Sequence, residues 1–339
     1  MKIFKTAVLA LLIFLLAIGS ASGFVSESRI EMNTSTNHSI AQTQTDLSGV
    51  SVGIYDIGYY DPRFNNSFTA LIKMFEWMNA TVSIFNATDI INGSLWACEV
   101  LSIPEGLGPT LEYKLKEEGL QAIREWIDAG GSYIGVRGSA AMTVQYSFFE
   151  NRWTEFELAL INGTSYEVED LGHTTITNVT INRNCTGPDL SDMPEKMEVL
   201  FKTGRYILPN EGQELFYIAN YSHSNLPAMV ASQYGKGNVF ISSPHFEYEE
   251  NSDRDGTDYL DEYDDPDSEW PFMLTITQWL IDSTQTVRNI TEWPIPLPPP
   301  TTPTTSTTTS PSFPLELALL GGGLGIAVIS VLVVFVRKR

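Results

Sequence analysis

Two short segments carry side chains whose type and spacing could do chemistry. The first, Gly135-Val136-Arg137-Gly138-Ser139, follows an apolar run over 133–136 and precedes a helix-like stretch. A strand that turns sharply through glycines into a helix lifts one side chain above the carboxyl edge of a sheet, which is how a nucleophile is presented. The second, Ser243-Pro244-His245-Phe246-Glu247, ends another strand on a His-x-Glu pair, a spacing that lets a carboxylate orient an imidazole. The residue at the turn, however, is Arg137, which carries no nucleophile and stays protonated. Ser139, two residues on, is a hydroxyl on the wrong side of the turn to face His245.

A third segment, Pro104-Glu105-Gly106-Leu107-Gly108, follows an apolar run over 99–103, and Tyr234-Gly235-Lys236-Gly237 precedes the His-x-Glu strand. In this order the motifs resemble the class I glutamine amidotransferase-like superfamily, most closely the biotin-protein ligase N-terminal-like domain, over roughly residues 48–285. The resemblance implies a cysteine at the elbow, a His-x-Glu completing the triad and a Pro-Gly-Gly loop whose amides hold an oxyanion. Here Arg137 replaces the cysteine, and Glu105 brings a negative charge to the loop. The implied site is therefore degenerate: Arg137, His245 and Glu247, with Glu105, Gly106, Gly135, Gly138 and Ser139 around them. Arg137 is expected to pair with Glu105 or Glu247. No ligase catalytic domain accompanies the resemblance.

These segments need a scaffold that brings strand ends together. Apolar runs at 49–55, 81–85, 99–103 and 133–136 alternate with amphipathic stretches at 68–78 and 113–128, the latter stopped by Gly130 and Gly131. Such alternation predicts a parallel sheet covered on both faces. Short β-like runs over 174–181, 197–202, 215–219, 228–232 and 238–242 read as antiparallel additions, and 270–281 as a closing helix. The expected class is α/β, a flavodoxin-like three-layer sandwich with a mainly parallel sheet and β-rich additions.

Between His245 and the closing helix the chain is strongly acidic. Asn251, Asp253, Asp255, Gly256 and Glu262 match the spacing of a calcium-binding loop, although Asp258 stands where such loops are apolar. Calcium is one reading of this stretch and a solvated acidic loop the other; no further cofactor is implied. Cys98 and Cys185 are the two cysteines, and their even number in an exterior chain points to a disulfide.

The exterior address rests on the ends. Residues 1–23 read as a secretory signal peptide, with Lys2 and Lys5 before an apolar run, and 24–46 as a flexible lead-in. The folded domain is expected over 47–286. A Pro- and Thr-rich stalk over 287–314 leads to an apolar transmembrane helix, 315–336, and the basic tail 337–339 marks the cytoplasmic side. Asn-x-Ser/Thr glycosylation sites occur at Asn33, Asn37, Asn65, Asn79, Asn86, Asn92, Asn162, Asn178, Asn184, Asn220 and Asn289.

The chain has 20 basic and 41 acidic residues, a net charge of −21. Without the five terminal cations and Glu316, 15 basic residues face 40 acidic ones. That balance argues against nucleic acid as a partner. The reading is a single-pass, extracellular cell-membrane glycoprotein whose domain serves as a binding or surface-interaction module for a small-molecule or surface ligand. The alternative is a hydrolase or amidase using His245 and Glu247 with a non-cysteine nucleophile or water.

Overall fold

The computed structural model describes residues 46–58, 62–249, 252–263, 265 and 267–284. The signal peptide, nearly all of the lead-in, the stalk, the transmembrane segment and tail, and Asn33, Asn37, Asn251 and Asn289 lie outside the described residues. Among the described residues no helix is long and apolar enough to cross a membrane.

The chain opens with β1 (Ser51–Tyr55), α1 (Pro62–Trp77), β2 (Thr81–Phe85), α2 (Ala87–Ile91) and β3 (Val100–Ile103). It continues through α3 (Gly108–Asp128), which is broken at Lys116 (φ 56°), then β4 (Ser132–Val136) and α4 (Gly138–Thr143). A β-rich stretch follows: β5 (Val144–Phe149), β6 (Arg152–Glu155), β7 (Ile161–Glu167), β8 (Thr174–Ile181), β9 (Lys196–Lys202) and β10 (Arg205–Pro209). It ends with β11 (Phe216–Tyr221), β12 (Pro227–Tyr234), β13 (Gly237–Ser242) and α5 (Trp270–Asp282).

Nine strands form one sheet in the order β2-β1-β3-β4-β13-β12-β11-β8-β9. The pairings from β2 to β13 are parallel, and those from β13 to β9 antiparallel. The architecture is thus mixed α/β with a large, sheet-dominated core. The sequence expectation of antiparallel additions that rejoin the sheet before His245 matches this order. A second sheet, β10-β7-β5-β6, has no counterpart in the sequence reading. Its strands lack the clean alternation of buried and exposed positions that betrays a strand.

Residues of β3, β4 and β13 are buried throughout, as strands covered on both faces must be. Their side chains alternate between two cores. Val100, Ile134 and Phe240 join Leu71, Phe75, Phe272 and Ile276 of α1 and α5. Leu101, Tyr133, Val239 and Ile241 join Leu115, Leu120, Ile123 and Ile127 of α3. Caps fix the helix ends locally: Asn86 accepts from Thr88 N and Asp89 N in a capping box at α2.

This partition overturns the expected disulfide. Cys98 and Cys185 are not joined in a disulfide. Cys98, just before β3, packs in the α3-side core and donates its thiol to Leu95 O at 3.2 Å. Cys185, in the β8–β9 connection, packs on the opposite core, where burial raises its thiol pKa despite the Gly187 N–H. The sheet stands between them. Among the described Asn-x-Ser/Thr motifs, Asn65, Asn79, Asn86, Asn92, Asn162 and Asn184 are exposed, while Asn178 and Asn220 are half-buried.

Candidate functional site

Adjacent strands β3 and β4 end side by side, so the loop after β3 and the turn after β4 are forced into contact. Arg137 holds φ 51° and ψ −100°, a strained conformation for a side chain-bearing residue. Two backbone bonds hold it there: Arg137 N donates to Ser242 O of β13 at 2.8 Å, and Ala141 N donates to Arg137 O at 2.9 Å as α4 begins. Gly138 then passes Gly106 so closely that only glycine fits. Gly135 is similarly tight against the Tyr133 ring and Ala140 N. Gly138 is thus the contact glycine of this crossing, whereas Gly135 makes room within its own turn.

The Arg137 side chain lies 18% exposed across a buried polar cluster. Its Nη1 pairs with Glu105 Oε1, its Nη2 bonds Thr203 Oγ1, and its Nε donates to Lys202 O at 2.6 Å. Of the two partners expected for Arg137, the structure pairs it with Glu105. Glu105 is fully buried, and Lys202 Nζ stands 3.6 Å from the same oxygen. Lys202 Nζ in turn bonds the Tyr259 hydroxyl.

His245 is buried between two carboxylates. Its Nδ1 lies 2.9 Å from Glu247 Oε1 and its Nε2 lies 3.7 Å from Glu105 Oε2. The second separation is too long for a hydrogen bond, and neither His245 Nε2 nor Glu105 Oε2 has another partner. Ser67 of α1 ties the two acidic segments together: its hydroxyl donates to Glu247 Oε1 at 2.7 Å and accepts from Glu105 N at 2.9 Å. Burial opposes the charge of Glu247. His245, the Ser67 hydroxyl and a backbone N–H outweigh it, and the carboxyl is held below its ordinary range. Burial, followed by the charges of Glu247 and Glu105, pushes the neighbouring Tyr248 hydroxyl far above its ordinary value.

Chemically the cluster has an oriented imidazole and no nucleophile above it. Ser139 Oγ accepts from Val136 N at 2.7 Å and can donate to Ile103 O, also 2.7 Å away, beneath the turn. That hydroxyl is consumed in holding the elbow. Sequence reasoning brought Glu105, Arg137, His245 and Glu247 to one place. It missed Ser67, Lys202, Thr203 and Tyr259, which reach the site from α1, from the end of β9 and from the acidic loop. Nothing in their local sequence marks them, because their roles depend on how distant segments cross.

Residues Asp253–Asp255 form a short 3-10 turn, and buried Asp255 accepts from Thr257 N at 2.9 Å and Glu249 N at 3.3 Å. Among the described residues, the acidic trio with mutually close oxygens is Glu198, Asp265 and Asp267, and it does not include Asp253, Asp255 or Glu262. Asp253, Asp255 and Glu262 are therefore not grouped among the described residues, and Asn251, the fourth expected ligand, lies outside them.

No family model and no curated protein matches the chain. Solved structures similar to it include a ThuA-like protein from Bacteroides uniformis, 11% identical, covering 72% of this chain and 96% of that one with a TM-score of 0.48. A glutamine amidotransferase is 14% identical, with 62% and 97% covered and a TM-score of 0.45. A cytoplasmic protein from Salmonella typhimurium is 11% identical, with 68% and 98% covered and a TM-score of 0.44.

Proposed function

We propose that this chain is a non-catalytic interaction module built on a flavodoxin-like, amidotransferase-like domain and displayed outside the cell on a membrane anchor. One observation carries the reading. The residue at the strand-to-helix elbow is an arginine whose three guanidinium nitrogens are engaged by Glu105, Thr203 and the Lys202 carbonyl. A nucleophile is missing from the position that would present it, and a buried carboxylate stands where developing negative charge would need donors. The parallel order β2-β1-β3-β4-β13 supports the layered fold, since it is the doubly wound order with its sites at the carboxyl ends of the strands. The acidic balance and the exposed glycosylation sites support the exterior address.

A second reading is favoured by His245. Its Nδ1 is oriented by Glu247 and its Nε2 is left without a hydrogen bond, the state of a base awaiting a substrate proton or water. One assay separates the two. Purified full-length protein is incubated with glutamine and with a panel of activated esters and amides, beside its His245→Ala variant. The interaction-module reading expects both proteins to match the buffer. Turnover by the wild type that disappears in His245→Ala would establish the hydrolase instead.

A further inference from the structure

Each strand of the second sheet contributes a ring to one continuous row of aromatic side chains on a single face. Tyr206 of β10 pairs with Tyr166 of β7, Tyr166 with Phe148 of β5, and Phe148 with Trp153 of β6. The ring centroids follow at 5.4, 6.5 and 5.1 Å. The β5–β6 connection is a two-residue turn with positive φ at Glu150 (49°) and Asn151 (59°), which fixes the register that sets Trp153 opposite Phe148.

Cross-strand aromatic pairs stabilise a sheet, but that role does not require an open face. Here Trp153 is 63% exposed, and the four rings line a cavity of about 560 Å³. Phe148, Trp153 and Tyr166 are inclined to one another at 47°, 57° and 78°, so they stand as walls rather than a flat platform. The remaining lining includes Glu167, Glu169 and Asp170 and no lysine or arginine. Asp170 is paired with His223 at 3.1 Å, and Glu167 accepts from Glu150 N, which leaves exposed Glu169 at the rim. Burial, then the Tyr166 and Glu169 charges, raises the Tyr206 hydroxyl pKa.

Ring faces are electron-rich, and inclined rings beside a carboxylate attract a cation from several sides at once. A nucleic acid is repelled by the same charge. A saccharide chain is best served by one flat platform; Tyr166 and Tyr206 are nearly parallel at 21°, but Phe148 and Trp153 tilt from Tyr166 by 57° and 78°. We propose that this face binds a small organic cation, an alkylated ammonium group seated against Trp153, Phe148, Tyr166 and Tyr206 with Glu169 at the rim. The site uses none of the elbow residues and stands whether or not the elbow is catalytic.

The test is calorimetric titration of full-length protein, in a non-ionic detergent, with choline and with its uncharged isostere 3,3-dimethylbutan-1-ol. Choline is expected to bind in a 1:1 ratio, with the isostere weaker by about tenfold or more. Trp153→Ala should weaken choline by a similar factor while the melting temperature holds, and Glu169→Gln by a smaller one. Equal binding of both probes, no choline binding by the wild type at tens of millimolar, or unchanged binding in Trp153→Ala overturns the proposal. So does saturable binding of cellohexaose that choline fails to displace, which would make the face a sugar platform.

Discussion

Gly138 lies against the Gly106 carbonyl so closely that a Cβ on Gly138 would sit 1.5 Å from that oxygen. The contact locks the turn after β4 onto the loop after β3, and with it the placement of Arg137 over Glu105. No side chain can be accommodated there without separating two backbones. Gly138→Ala is therefore expected to cost at least about 3 kcal/mol or to prevent folding. Gly172, whose added Cβ meets nothing within 4 Å, is the control, and Gly172→Ala should fall within about 0.5 kcal/mol of wild type. Urea denaturation of both variants measures the contrast; equal stability would mean the crossing is looser than the structure has it.

The Arg137–Glu105 pair predicts an asymmetry between single and double substitutions. Arg137→Met leaves the fully buried Glu105 carboxylate with Lys202 Nζ at 3.6 Å as its remaining cation. The expected cost is about 3 kcal/mol, because a buried charge that loses its partner keeps its desolvation penalty. Adding Glu105→Gln removes the charge and should recover a good part of that loss. A double-mutant cycle with no coupling would show the pair to be incidental.

Stability should respond to pH in two windows of opposite sign. Glu247 has a lowered pKa, so its contribution is complete above the ordinary value of 4.5 and is lost as pH falls through its folded value. Asp255 is the reverse. Burial, reinforced by the charges of Asp261 and Glu247 and opposed by two backbone N–H groups, raises it from 3.8 to about 6. Its favourable contribution is complete below 3.8 and is lost as pH rises through about 6. Asp255→Asn should flatten the stability profile between those limits, and Glu247→Gln should flatten it below 4.5. Denaturation midpoints collected from pH 3 to pH 7 decide the matter, and an Asp255→Asn profile parallel to wild type would refute the first window.

The parallel half of the sheet and the strand ends that carry Glu105, Arg137 and His245 were legible in the sequence. Strands buried on both faces read as unbroken apolar runs, and the glycines after them mark turns whichever way the remainder folds. The negative charge and the missing nucleophile at residue 137 are likewise properties of the chain itself. Tertiary structure decided what those groups meet. Ser67, Lys202 with Thr203, and Tyr259 enter the cluster from three separate places, and the contacts that bring them there leave no local periodicity. The number of cysteines could not determine a disulfide, because the sheet assigns Cys98 and Cys185 to opposite cores. Carboxylate spacing could not determine which acids converge, because the fold brings Glu198 to Asp265 and Asp267 from a distant strand. The aromatic ladder illustrates the limit most directly: Tyr206, Tyr166, Phe148 and Trp153 become neighbours through strand register, a relation between segments that no single segment contains.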